Sequence, residues 1–200
     1  MTTLCSHGKL VIISGPSGAG KSTVVELLLS QCDLPLSLSV SATTRPPRGD
    51  EKDGIAYHFL KNDEFNQLRE EGKFLEYKDV FGRGYWYGTL RESVTTGLDG
   101  GGWVILEIDT QGAQAVLKSI PDATTIFIHA GSMNELERRL VNRNTDTTES
   151  IERRLQVAQD EMSLADGYQY QIENADPATA TYKICNILKE VGENHDAGRT

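Results

Sequence analysis

Three stretches of the 200-residue chain are dominated by apolar and β-branched residues: Lys9-Leu-Val-Ile-Ile-Ser14, Trp103-Val-Ile-Leu-Glu-Ile-Asp109 and Thr124-Thr-Ile-Phe-Ile-His129. Short runs rich in β-branched residues, without alternation, predict strands of a parallel sheet covered on both faces. Between them the spacing changes to that of helices. Helices are predicted from Ser22 through Leu29, over Leu90–Leu98 and over 111–118. Ser132-Met-Asn-Glu135 is a capping box opening a helix with Leu136 and Leu140 on one face. Further helices are expected at about 149–165 and 178–191, with a short strand at Ile172 and a frayed polar tail after Gly192. Strands alternating with helices predict an α/β fold with a parallel, doubly wound sheet.

Residues 39–90 break that rhythm. Leu36-Ser-Leu-Ser-Val-Ser41 alternates and reads as a strand, and Ile55-Ala-Tyr-His-Phe-Leu60 as another. Asn62 or Asp63 can cap a helix that reaches Gly72. Phe74-Leu-Glu-Tyr77 and Tyr85-Trp-Tyr87 predict antiparallel strands joined by a turn at Gly82-Arg-Gly84. The segment is a small β-rich insertion carrying many polar side chains.

Composition narrows the classes. Lys and Arg number 20 against 29 Asp and Glu, a net charge of −9, which argues against a nucleic-acid or anionic-membrane binder. Cys5, Cys32 and Cys185 are odd in number and lack metal-ligand spacing, so reduced thiols in a cytoplasmic protein are expected. No basic leader and no run approaching 18 apolar residues is seen, so no membrane span is predicted.

Candidate chemistry starts at Gly15-Pro16-Ser17-Gly18-Ala19-Gly20-Lys21-Ser22, a G-x-x-x-x-G-K-S loop set between a strand and a helix. Its glycines let backbone N–H groups converge on anionic oxygens at a helix N-terminus. Lys21 adds a point charge for β/γ-phosphates, Ser22 can ligate Mg²⁺, and Thr23 follows in the first turn. The loop implies a nucleoside triphosphate. It does not choose among the many enzymes that use one. Arg45 and Arg48 flank a Pro-Pro pair and can form a fork for a second phosphate, with Tyr57 and Tyr87 as hydroxyl donors. Glu76, after an apolar pair, can accept paired N–H donors from a purine edge. The acidic end of the 103–109 strand suits a position beside Mg²⁺.

Ser39-Val-Ser-Ala-Thr-Thr-Arg-Pro-Pro-Arg-Gly-Asp-Glu51, Gly54-Ile-Ala-Tyr-His-Phe59, Phe74-Leu-Glu76, Tyr87-Gly-Thr89 and Leu106-Glu-Ile-Asp-Thr-Gln-Gly112 together resemble guanylate kinase, from about Gly8 to Leu188. The resemblance implies ATP and GMP as partners and Mg²⁺ as cofactor, on a P-loop kinase core (1–38, 91–130 and 156–200), a GMP-binding insertion (39–90) and a helical lid (131–155). It implies that Arg45, Arg48, Tyr57 and Tyr87 hold the GMP phosphate, and that Ser41, Glu76, Thr89 and Asp109 read guanine. Arg139, Arg143 and Arg154 would meet the ATP phosphates, and Asn174 would lie near adenine; Arg138 and Arg153 are expected to be solvated.

Four departures from the family pattern stand out. Glu107 replaces the usual Asp and can reach Mg²⁺ through water; Asn144 replaces a glycine. The segment before Tyr87 is about two residues longer, and Gly100-Gly-Gly102 reads as a flexible connector. Two rivals stay open. One is a kinase for another monophosphate or a phosphorylated sugar; the other is a non-catalytic guanylate-kinase-like module that binds phosphopeptides. Oligomeric state, monomer or homodimer, is left open.

Overall fold

The computed structural model describes residues 8–79, 84–142 and 148–197. In chain order the elements are β1 (Lys9–Ser14), α1 (Lys21–Gln31), β2 (Leu36–Leu38), β3 (Ala42–Thr43), β4 (His58–Phe59), α2 (Asn62–Glu70), β5 (Phe74–Asp79), β6 (Trp86–Leu90), α3 (Arg91–Asp99), β7 (Trp103–Glu107), α4 (Thr110–Ser119), β8 (Thr124–His129), α5 (Met133–Asn142), α6 (Thr148–Met162), β9 (Tyr170–Glu173) and α7 (Pro177–Ala197). The main sheet, mostly parallel, has the strand order β2-β7-β1-β8-β9. Leu10–Ile13, Trp103–Leu106 and Ile126–Ile128 are buried, as continuous apolar strands require. The chain divides into two compact units. Of the described residues, the first unit takes 8–12 and 37–124, and the second 13–36 and 125–197.

In the first unit a second sheet, ordered β4-β3-β6-β5, occupies the expected insertion. The β5–β6 hairpin at one edge of this sheet is antiparallel, with Glu76 opposite Thr89 and Lys78 opposite Tyr87. Alternation, offset by a register shift between Phe74 and Glu76, gives the hairpin two chemically different faces. One is aromatic: Phe74 stacks on Phe65 of α2 at 4.4 Å, and Trp86 lies 6.2 Å from the same ring. Ala42, Leu60, Leu68 and Leu90 complete that small core. The other face carries Glu76, Lys78, Tyr87 and Thr89.

The second unit packs α1 against α7, and Cys32 is disulfide-bonded to Cys185, with Cα atoms 5.7 Å apart. This corrects the expectation of reduced thiols for Cys32 and Cys185; Cys5 lies outside the described residues. The partners stand 153 residues apart in sequence, so only the packing of these two helices reveals the pair. Half of the expected capping box forms: the Glu135 N–H donates to Ser132 Oγ at 3.2 Å, while the Glu135 carboxylate accepts from Arg138 and Arg139. Leu136 and Leu140 are fully buried with Ala158.

Local differences from the sequence reading have physical causes. β2 ends at Leu38, and β4 keeps only His58 and Phe59 of the expected six residues; Ile55 is 71% exposed. Helix α2 is preceded by Lys61, without a side-chain cap. The Gly100–Gly102 run is a bonded turn, not a loose connector: Gly102 N–H reaches Gly97 O, and Gly102 O accepts from Lys9 N–H at 3.0 Å. Helix α7 continues through Gly192 to Ala197 where fraying was expected, since a glycine inside a helix costs only about 1 kcal/mol. The turn at 82–84 lies partly, and Arg143 and Asn144 wholly, outside the described residues.

Candidate active site

In the second unit the 15–22 loop joins β1 to α1 with the backbone its glycines predict. Gly15 has φ +141°, and a Cβ there would run into the Ile128 carbonyl oxygen. Gly20, at φ +86°, is the N-cap of α1 and presses against the Asn174 amide. No side chain caps α1 and no acidic residue occupies its first turn, so its amino end is dressed for an anion. Pro16 and Ala19 are buried, Ser17 and Gly18 half-buried, and Ser22 and Thr23 exposed. Lys21 Nζ donates to Gly15 O at 2.6 Å and Pro16 O at 3.1 Å, folding its charge along the loop.

Asn174 stands against the loop at Gly20. Its Nδ2 donates to Ala19 O at 2.7 Å, bracing the loop. Its Oδ1 is buried without a protein partner, and its carbonyl accepts from Arg139 Nη2 at 2.8 Å. Arg139 also donates to Glu135, which Arg138 grips bidentately; the two guanidiniums hold the Glu135 carboxyl at about 2, far below its ordinary value. Arg138 and Arg153 are exposed as expected, and Arg154 is half-buried on α6.

In the first unit the polar hairpin face assembles two clusters. Arg45 is 4% exposed, a buried guanidinium. It donates bidentately to Glu51 at 2.9 Å on both oxygens, to Pro46 O at 2.7 Å and, through Nε, to Tyr87 Oη at 3.0 Å. These bonds use four of its five N–H donors. Tyr57 packs edge-on to Tyr87, under the Arg45 guanidinium at 5.4 Å, and burial pushes its hydroxyl pKa up. Arg48, the other arginine of the expected fork, lies close by in sequence across the Pro-Pro pair. It is exposed, and its backbone N–H donates to Glu51 Oε2 at 2.8 Å, so Glu51 stands where the two arginines were expected to face a phosphate. The Arg45 bonds in turn hold the Glu51 carboxyl below its ordinary range.

The second cluster pairs two carboxylates. Thr89 Oγ1 donates to Glu76 Oε1 at 2.7 Å across the hairpin. Asp109 caps α4, accepting the Gly112 N–H at 2.8 Å. A Cβ on Gly112 would sit 3.2 Å from Glu76 Oε2 and 3.5 Å from Asp109 Oδ1, so both carboxylates lean over this bare glycine. Burial pushes the Glu76 carboxyl above its ordinary value; the Asp109 charge adds to this, and the Thr89 bond opposes it. Ser41 is half-buried just before β3, its carbonyl accepting from His58 N–H at 2.9 Å. Glu107 ends β7, half-buried.

The family model for guanylate kinase matches residues 7–191. The chain belongs to the guanylate kinase family. It is 56% identical over 183 residues to the guanylate kinase of Rhodopirellula baltica, covering 90% of this chain and 87% of the relative. The guanylate kinase of Mannheimia succiniciproducens is 44% identical over 92% of this chain and 88% of its own. A crystal structure of guanylate kinase from Anaplasma phagocytophilum superposes with TM-score 0.76 at 34% identity, covering 94% of this chain and 88% of that one. A gluconokinase from Sinorhizobium meliloti, 18% identical with TM-score 0.54, shares the fold alone. As a member of the guanylate kinase family the chain is a P-loop enzyme of the kinase class, a nucleotide-binding transferase.

Three residues of these two clusters were not singled out from sequence: Glu51, Gly112 and Lys78. Glu51 closes the quoted motif and lies six residues from Arg45 across a Pro-Pro loop, where neither the helix nor the strand period applies. Gly112 ends another quoted motif, but its contact with Glu76 joins segments 36 residues apart. Lys78 follows Glu76 by two, the strand period that places both on one face, and its Nζ pairs with Asp109 Oδ2.

Proposed function

We propose that the chain transfers the γ-phosphoryl group of ATP to a phosphate oxygen of GMP, giving ADP and GDP. The observation that carries this reading is the carboxylate pair over Gly112. Glu76 and Asp109 offer acceptors to a base presenting N–H and amine donors side by side, as guanine does and adenine does not. A base that left both carboxylates unpaired would be rejected by several orders of magnitude.

The remaining roles follow from the groups in place. Gly15–Thr23 and Lys21 would receive the ATP phosphates on the amino end of α1, and the unpartnered Asn174 Oδ1 suits an amine such as that of adenine. Arg45, Arg48, Tyr57 and Tyr87 would take the GMP phosphate, which would compete with Glu51 for Arg45. Thr89 would fix Glu76 while Ser41 completes the base site. The incoming oxygen is already anionic, so one P–O bond forms as the bond to ADP breaks, with no general base and no covalent intermediate. Lys21 and the arginines Arg139, Arg143 and Arg154 would neutralise charge spread over the transferring group. Mg²⁺ would supply further neutralisation, held by Ser22 Oγ, phosphate oxygens and, through water, Glu107. A hard cation bound mainly by substrate and water needs no protein cage, and the described residues form no cluster of three metal-ligating side chains.

The same reading assigns a core of 1–38, 91–130 and 156–200, a GMP-binding region of 39–90 and a lid of 131–155 that closes to exclude water. It places the enzyme in the cytoplasm; among the described residues no helix is long and apolar enough to cross a membrane. The intact loop, braced by Asn174, favours catalysis over a phosphopeptide-binding module. Lys21→Ala tests the roles: turnover is expected to fall at least a thousandfold while GMP binding, measured by calorimetry, stays within threefold. Near-normal turnover in that variant contradicts the assignment.

A further inference from the structure

Lys78 lies on the polar face of the β5–β6 hairpin, two residues from Glu76 and opposite Tyr87. Its ammonium pairs with Asp109 Oδ2 and reaches Gln111 Oε1 at 3.3 Å, so it stands at the amino end of α4. A cation is unfavourable at a helix N-terminus, where the dipole is positive. Its place there is explained by the two carboxylates beside it. Glu76 is 9% exposed, and it shares the Gly112 floor with Asp109, so two like charges meet in a partly dry site. A neutral purine edge brings donors to that site but no charge. Lys78 meets Asp109 directly in an ion pair.

We infer that Lys78 is a positioning residue for base recognition: it offsets the paired charges of Glu76 and Asp109 and holds Asp109 Oδ2 in place, leaving both carboxylates set to accept from the purine edge. The inference rests on the reading of this cluster as the guanine site. Lys78 acts through Asp109 and takes no part in phosphoryl transfer. The competing view is an ordinary surface pair, the side chains being 29% and 30% exposed. Such pairs are commonly worth almost nothing.

The two views separate in steady-state kinetics on the full chain. Lys78→Met is expected to raise the KM for GMP about tenfold, with kcat and the KM for ATP each within twofold. Lys78→Arg, which keeps the charge, should recover most of the loss. The coupling is read against Asp109→Asn, which keeps a good helix cap. In that background Lys78→Met should add less than twofold, because the carboxylate it serves is gone. Three results overturn the inference: an unchanged GMP KM in Lys78→Met, a lowered one (as for a lysine that competes with the base), or an effect that multiplies fully with Asp109→Asn. Wild-type protein making no ADP in response to GMP would instead overturn the guanine reading, and this inference with it.

Discussion

At the scale of single residues, the site depends on groups that tolerate almost no substitution. Gly20 combines φ +86° with a contact to the Asn174 amide. Gly20→Ala therefore strains the backbone and pushes on the brace of the loop, costing about 1–3 kcal/mol. The expected outcome is an ATP KM raised at least tenfold with GMP binding little changed; equal ATP kinetics would contradict it. Glu76 gives a pH prediction with a definite sign. Burial raises its pKa above the ordinary 4.5, and as an acceptor it must be ionised. GMP affinity should thus decline as the pH falls, beginning at higher pH than an ordinary glutamate would give. The fold responds oppositely, since the raised pKa contributes stability below the unfolded value that is lost as pH rises through the folded one. A KM profile for GMP that is flat down to pH 4.5 would count against a base-reading role. The loop glycines, Arg45 and Glu76 were legible in sequence because their motifs are contiguous. Gly112 and Lys78 gain their meaning from contacts between segments about 30 residues or more apart, which no local pattern encodes.

At the scale of elements, the β5–β6 hairpin is the piece on which base recognition rests. Its aromatic face is seated on Phe65, which is fully buried against Phe74. Phe65→Ala should destabilise the protein by about 3–5 kcal/mol through lost transfer energy and a cavity. Because Glu76 and Thr89 sit on the same two strands, a raised GMP KM should accompany the lowered Tm. Intact GMP kinetics in a destabilised variant would uncouple the core from the site. The antiparallel pairing of this hairpin was legible from two short aromatic runs joined by a glycine turn, whereas the register shift that parts Phe74 from the Glu76 face was not. The two-residue strands β3 and β4 were not, because so short a ladder depends on neighbouring strands and leaves Ile55 in solvent. Arg45 shows a similar limit: proline-stiffened spacing predicted an open fork, whereas a buried guanidinium takes the nearest carboxylate, Glu51.

At the scale of the whole molecule, the alternation of apolar strands and helices disclosed the α/β architecture, because buried parallel strands leave continuous hydrophobic runs. The disulfide was hidden, Cys32 just after α1 and Cys185 within α7 lying far apart in the chain. Closing a loop of 153 residues stabilises the fold by about 5 kcal/mol in the chain-entropy picture. Thermal melts with and without reductant should differ by about 10 °C or more; coincident melts would show that the cross-link contributes nothing. The net charge of −9 fits small anionic substrates only where cations are gathered locally, as at Lys21 and Arg45. The central claim, that this family member phosphorylates GMP at the expense of ATP, is tested most directly by coupled ADP production over GMP, AMP, CMP and UMP, with and without Mg²⁺. The account predicts Mg²⁺-dependent ADP formation with GMP at least a thousandfold more efficient, by kcat/KM, than with the other three. Equal use of another monophosphate, or ADP formation indifferent to GMP, would contradict it.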